Sequence, residues 1–133
     1  MKLELTGLKN LSKLVDYKFD DRYVGDKTGK VYLIKKVEKG IAECEPMKPF
    51  TTKDGYVEYV LTTKATTKKH IQAQRIVAGL FLKRPKDKKK NEVNHKDGKR
   101  SNNNSSNLEW VTHKKNIEHS FKVLGKKVWN APK

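Results

Sequence analysis

Apolar positions in this chain change period about halfway along it. Val31-Tyr32-Leu33-Ile34 follows a Thr28-Gly29 turn and predicts a strand. Lys53-Asp54-Gly55 is a turn signal, and the β-branched and aromatic run from Tyr56 to Leu61 predicts a second strand. From Gln72 to Leu82 the pattern turns helical, with Ile76, Val77, Leu80 and Phe81 on one stripe. Pro85 bars continuation of that helix, and residues 83–91 read as a basic loop. Glu92–His95 and Leu108–Val111 are short strand candidates around a polar loop that Asp97-Gly98 opens. Thr112 is placed to cap a helix from about His113 to Leu124, with Gly125 beyond its end. The predicted class is α+β: a small antiparallel β module over residues 1–70, then a helix and a strand–loop–strand–helix unit within 71–133.

Composition narrows the partner. The 133 residues carry 31 Lys plus Arg against 15 Asp plus Glu, a net charge of +16. Residues 1–50 and 51–82 contribute +3 each, whereas residues 83–133 hold 15 basic and 5 acidic side chains, or +10. Such an imbalance calls for a polyanion, and the C-terminal part is where it should sit. A lysine run such as Lys88-Lys89-Lys90 could be a solvated loop, but that does not explain why the excess continues past it. No apolar run approaches the ~20 residues of a spanning helix, so a membrane is not the expected partner. Cys44 is the only cysteine, which excludes an intramolecular disulfide and a zinc site built from several thiolates. An intracellular, cytoplasmic protein, in a bacterial or phage-infected cell, is the expectation.

The stretch Val93–Phe121 carries the chemistry. His95 leaves a strand just before an Asp-Gly turn, and an imidazole with an ordinary pKa near ~6.5 can take a proton from water at neutral pH. Asn94 beside it and Asn116, four residues past Thr112, offer hard carbonyl oxygens of the kind Mg²⁺ accepts. A base, a metal and a basic surface are the parts that phosphodiester hydrolysis needs. Taken singly, each residue has a plainer explanation. A histidine near a turn is usually structural, and Asn102, Asn103 and Asn104 need no reason beyond the turn preference of asparagine. Asn116 could face solvent, and Trp110 between Leu108 and Val111 is expected in the core. The joint order and spacing lift the case.

That order resembles the HNH endonucleases, in the branch related to phage and intron homing enzymes. Val93, Asn94, His95, Asp97 and Gly98, then Asn107, Leu108, Trp110, Val111, Thr112 and Asn116, follow the family pattern over 24 residues. Arg75-Ile76-Val77-Ala78 with Phe81 is similar to the helix that precedes the motif, and Tyr23–Ile34 with Met47-Lys48-Pro49 and Gly55-Tyr56 is similar to the β-rich module that often stands before it. The resemblance implies a ββα-metal core in which His95 is the general base. Asn94 and Asn116 would hold one Mg²⁺ or Mn²⁺ ion per active site, and Asn107 would brace the loop through backbone near His95. His119, on the face of Asn116, would be an extra ligand or a phosphate contact, with His113 a weaker candidate. The implied substrate is double-stranded DNA, cut to a 5′-phosphate and a 3′-hydroxyl, nicked by a monomer or cut through both strands by a homodimer. The expected DNA-contacting side chains are Arg75, Lys88, Lys89, Lys90, Lys96, Lys99, Arg100, Lys114 and Lys115, with the β module (residues 1–70) a further contact region. Gln74 stands where the family often has histidine, away from the motif, and Asn94 stands where several relatives have aspartate. Two neutral amides then predict weak metal binding that leans on the DNA phosphate. A regulator with a decayed nuclease core would share the charge and the β module, but it would not need Asn94, His95 and Asn116 together. A ribosomal or other RNA-binding protein would leave the ordered motif unexplained.

Overall fold

A computed structural model describes residues 1–14 and 17–123, with side chains as far as His119. The expected end of the last helix at Leu124 and Gly125 lies outside the described residues.

The class is α+β. Strands β1 (Lys2–Glu4), β2 (Lys9–Asn10), β3 (Tyr23–Gly25), β4 (Val31–Glu38) and β5 (Ile41–Pro46) form an antiparallel sheet in the order β1-β5-β4-β3-β2. The β4–β5 hairpin turns through Lys39 and Gly40, with φ of 49° and 76°. Two successive positive φ values match the right-handed twist of the flanking strands, and Gly40 takes one of them without steric cost. Strands β6 (Phe50–Thr51), β7 (Val57–Thr62) and β8 (Lys68–Gln72) make a second antiparallel sheet with β7 central. Strands β5 and β8 have no counterpart among the elements expected from the apolar pattern. Ile41–Pro46 carries two glutamates and Lys68–Gln72 opens on Lys-Lys-His, so the period-2 signal is buried under charge.

Helix α1 (Ala73–Phe81) starts directly from β8 and has no side-chain cap. Burial holds it instead: Ile76, Val77 and Ala78 are fully buried and Ala73 and Leu80 nearly so. Ile76 and Leu80 pack with Leu11, Phe19, Tyr59, Leu61 and Ile71, so the helix shares one core with the strands before it. Burying each large apolar side chain of this set contributes about 1.5–3 kcal/mol. The chain then runs irregularly from Leu82 to Asn91. Arg84 precedes Pro85 and is thereby kept out of helical backbone, so a cationic segment stays at the surface.

Strands β9 (Glu92–His95) and β10 (Leu108–Val111) pair antiparallel with Leu108 opposite His95 and Glu109 opposite Asn94. Helix α2 (His113–Val123) follows, and the Thr112 hydroxyl accepts the Lys115 N–H at 3.1 Å as its cap. The β9–β10 ribbon lies against α1, and β9 also touches α2. Among the described residues, no helix is long and apolar enough to cross a membrane.

Candidate active site

Strand β9 delivers two consecutive side chains to the site. Asn94 and His95 are each about 5% exposed. They line an open cleft of about 180 Å³ together with Tyr56, Glu92, Arg100, His113, Asn116 and His119. The backbone reverses at once after His95. The Gly98 N–H donates to the His95 carbonyl at 2.9 Å, and Gly98 sits at φ +76°, where a side chain would be strained.

An asparagine lattice holds this turn. Asn107 accepts the Asp97 N–H on Oδ1 at 3.1 Å, and its Nδ2 donates to Asp97 Oδ1 and to the Asn102 carbonyl, both at 2.9 Å. Its own carbonyl accepts the Lys96 N–H at 2.8 Å. Asn102 donates to the other Asp97 oxygen at 2.9 Å, and the Lys99 N–H donates to Oδ1 at 2.8 Å. The Asn102 amide, then the Lys99 N–H, draw the Asp97 carboxyl down to about 2, so it is an ionised brace at neutral pH.

Asn103 has more to do than fill a turn. It is 4% exposed, and its Oδ1 lies 2.8 Å from His95 Nε2 in a buried contact. An amide oxygen only accepts, so Nε2 carries the proton and Nδ1 keeps its lone pair. Nδ1 has no protein partner among the described residues and is not sealed from solvent. Burial holds the imidazole below its ordinary pKa, while the bond to Asn103 works against that shift and keeps it from going further. His95 is therefore neutral at pH 7, with its basic nitrogen available in the cleft.

Asn103 in turn leans on the β module. A Cβ built on Gly29 would come within 3.0 Å of Asn103 Cβ, and Gly29 has φ +95°. The Gly29 carbonyl accepts the buried Tyr59 hydroxyl at 2.9 Å, and Ser105 N donates to the Lys27 carbonyl at 2.7 Å. The asparagine loop is thus seated against the β3–β4 turn. Arg100 lies 4.7 Å over the Tyr56 ring and donates to the Asp54 carbonyl, joining the same loop to the turn before β7.

The remaining candidates divide. Asn116 reaches the cleft from the first turns of α2, with Nδ2 donating to Glu92 Oε1 at 3.1 Å. His119 also lines it, but its Nε2 is spent as a donor to the Lys96 carbonyl at 3.0 Å, tying α2 to the turn. His113 stands 2.5 Å from Glu92 Oε2 through Nδ1. Arg75 faces an adjoining groove, with Nη1 donating to the Asn91 carbonyl at 3.2 Å. Gln74 is buried in that groove, so it lies closer to Asn116 than its place in the sequence implies. Lys88, Lys89, Lys90, Lys96, Lys99, Lys114 and Lys115 are exposed and stand outside the cleft lining. Trp110 is a correction to the expectation of a core residue. It is only half-buried, its ring covered by the guanidinium groups of Arg84 at 4.2 Å and Arg75 at 5.7 Å. The tryptophan pins the start of the basic loop through Arg84, and Arg75 holds the loop's end through Asn91.

A two-stranded ribbon with a histidine and an asparagine at its turn, closed by a helix that returns a second asparagine, defines the ββα nuclease class. Residues 83–117 match the HNH endonuclease family. It is 36% identical over 103 residues to the DNA endonuclease I-HmuI of Bacillus phage SP01, over 77% of this chain and 53% of that protein. Against the uncharacterized HNH endonuclease L245 of Acanthamoeba polyphaga mimivirus it is 43% identical over 84 residues, 59% of this chain and 24% of the relative. The chain therefore spans about half or less of the length of these relatives. A solved structure of DNA binding and cleavage by the HNH homing endonuclease I-HmuI superposes with a TM-score of 0.65 at 29% identity, over 96% of this chain and 62% of that one.

Proposed function

We propose that the chain is a divalent-metal-dependent DNA endonuclease that hydrolyses phosphodiester bonds to 5′-phosphate and 3′-hydroxyl ends. One observation carries the reading: His95, buried and neutral, keeps Nδ1 free in the same cleft that Asn94 and Asn116 line. Nδ1 takes the proton of the attacking water, and Asn103 holds the Nε2–H so that the ring does not switch tautomer. The donor set fits a hard cation. Asn94 has no side-chain hydrogen bond among the described residues although it is 5% exposed, and neither its oxygen nor that of Asn116 is sealed off. Asn94 and Asn116 would hold one Mg²⁺ or Mn²⁺, which when bound stabilises the charge that develops on the phosphate and on the leaving 3′ oxygen. Cys44 is buried within the N-terminal sheet and supplies no thiolate to the cleft.

The exposed lysines bind backbone phosphates and set the register of the duplex rather than its sequence. Lys114 and Lys115 sit in the first turn of α2, where a cation opposes the helix dipole. A phosphate across from them offsets that cost. One site per chain nicks one strand, and a double-strand cut needs two copies. The experiment is plasmid relaxation after chelator treatment, with Mg²⁺ restored, for wild type, His95→Ala and Asn116→Ala. His95→Ala should lose roughly 10²–10⁴-fold in rate with DNA affinity unchanged, and Asn116→Ala should lose its response to metal. Full activity in chelator, or wild-type behaviour of both variants, would leave only the non-catalytic DNA-binding reading.

A further inference from the structure

The carboxylate of Glu92 stands at the edge of the cleft, and no step of the proposed reaction uses it. Among the described residues it makes two hydrogen bonds: Oε1 accepts Asn116 Nδ2 at 3.1 Å, and Oε2 meets His113 Nδ1 at 2.5 Å. Its side chain is one-third exposed. The residue stands two positions before Asn94 on β9, so both side chains leave the same face of the strand.

An asparagine amide presents an oxygen on one side and an NH₂ on the other, and a rotation of the terminal group exchanges them. An ionised carboxylate has no donor. Beside one, the amide has a single satisfactory orientation, with its nitrogen toward the carboxylate and its oxygen away from it. We infer that Glu92 is the positioning residue for Asn116: it anchors Nδ2 and so leaves Oδ1 of Asn116 for a divalent cation in the cleft. His113, bonded to the second oxygen, fixes the carboxylate from the other side. This inference rests on the proposed cation site at Asn94 and Asn116. It adds to that site the negative charge which two neutral amides lack, held one bond away from the ion.

Glu92→Gln is the informative change. Glutamine has nearly the same shape, but its own NH₂ can donate to Asn116 Oδ1 and hold the oxygen in the wrong place. Outer-shell changes of this kind lower metal affinity by about 10–100-fold. The experiment is a double-mutant cycle read as Mn²⁺ affinity, from the free-Mn²⁺ electron paramagnetic resonance signal, for wild type, Glu92→Gln, Asn116→Ala and the double variant. Each is tested as the full chain with duplex DNA present, and circular dichroism confirms that each is folded. The expected result is a loss of roughly tenfold or more in each single variant, and no further loss when Glu92→Gln is added to Asn116→Ala. A loss that persists in the Asn116→Ala background overturns the inference and makes Glu92 a ligand in its own right or a purely structural residue. Wild-type affinity in Glu92→Gln, with Asn116→Ala impaired, overturns the inference alone. Wild-type affinity in Asn116→Ala overturns the cation site beneath it.

Discussion

Asn103→Ala separates the holding of the base from the base itself. The change removes the acceptor that His95 Nε2–H has among the described residues, at 2.8 Å between two residues that are each about 5% exposed or less. A buried donor left without a partner costs about 1–3 kcal/mol. The imidazole can escape that cost by moving its proton to Nδ1, where the cleft can solvate it. In that tautomer the basic nitrogen faces Asn103's vacated place rather than the water. A cost of about 1.4 kcal/mol per tenfold then translates the 1–3 kcal/mol into a rate loss of roughly 5- to 150-fold. That is smaller than the loss for His95→Ala, because the ring is still present. Single-turnover nicking reads the rate, fluorescence anisotropy checks that DNA affinity holds, and thermal melting gives the stability cost. Asn103→Asp is the control that isolates the tautomer. A carboxylate also only accepts, so Nε2 keeps its proton, but the added charge raises the His95 pKa, which burial otherwise lowers. A raised value keeps the ring protonated and idle to higher pH. The acid limb of the rate profile should therefore move upward, with the rate largely recovered at alkaline pH. Wild-type rate and pH profile in Asn103→Ala would refute this account of how the base is held.

How much of this is open to the sequence differs by element, and the reason is physical. The ββα unit is legible because its residues are constrained by local rules. The two four-residue strands, the Asp97-Gly98 turn and the Thr112 cap each follow from side chains adjacent in the chain. The N-terminal strands β5 and β8 are not, because charged residues on their outward positions mask alternation that only tertiary packing reveals. Asn102, Asn103 and Asn104 are chemically identical in sequence, and nothing local shows which one turns inward to His95. That choice is made by the β3–β4 turn, more than seventy residues earlier, where Gly29 leaves room for Asn103. Glu92 could have been found, since a residue two before Asn94 on a strand shares its face. Trp110 reads as core in the sequence because Leu108 and Val111 beside it are apolar, and in the structure both are buried while the Trp110 ring is covered by Arg84 and Arg75.

Gly29→Ala should lower both stability and rate: its φ of +95° disfavours a side chain by about 1–2 kcal/mol, and the new Cβ would press on Asn103 at 3.0 Å. Melting together with single-turnover nicking checks it, and a loss of stability with no change in rate would show that Asn103 does not move with the turn. Replacing Lys88, Lys89 and Lys90 with glutamine, all exposed on the loop that Arg84 and Arg75 pin, should weaken binding to every duplex alike. The log–log salt slope should shrink by roughly 0.9 for each phosphate that is no longer neutralised. An unchanged slope would place that loop away from DNA. Asn94→Asp is the sharpest test of the metal reading, because two effects oppose each other there. Asn94 is 5% exposed and Glu92 lies on the same strand face, so without metal the new carboxylate is both desolvated and near a like charge. Its own ionisation is then disfavoured, and the folded protein should be less stable at pH 7 in the absence of metal. A divalent cation reverses this, since it brings two positive charges to a carboxylate where an amide offered only a dipole. Mn²⁺ affinity should therefore tighten at least tenfold, and added Mn²⁺ should raise the melting temperature of Asn94→Asp more than that of the wild type. If affinity is unchanged and Mn²⁺ gives Asn94→Asp no extra stabilisation, residue 94 is not beside the ion.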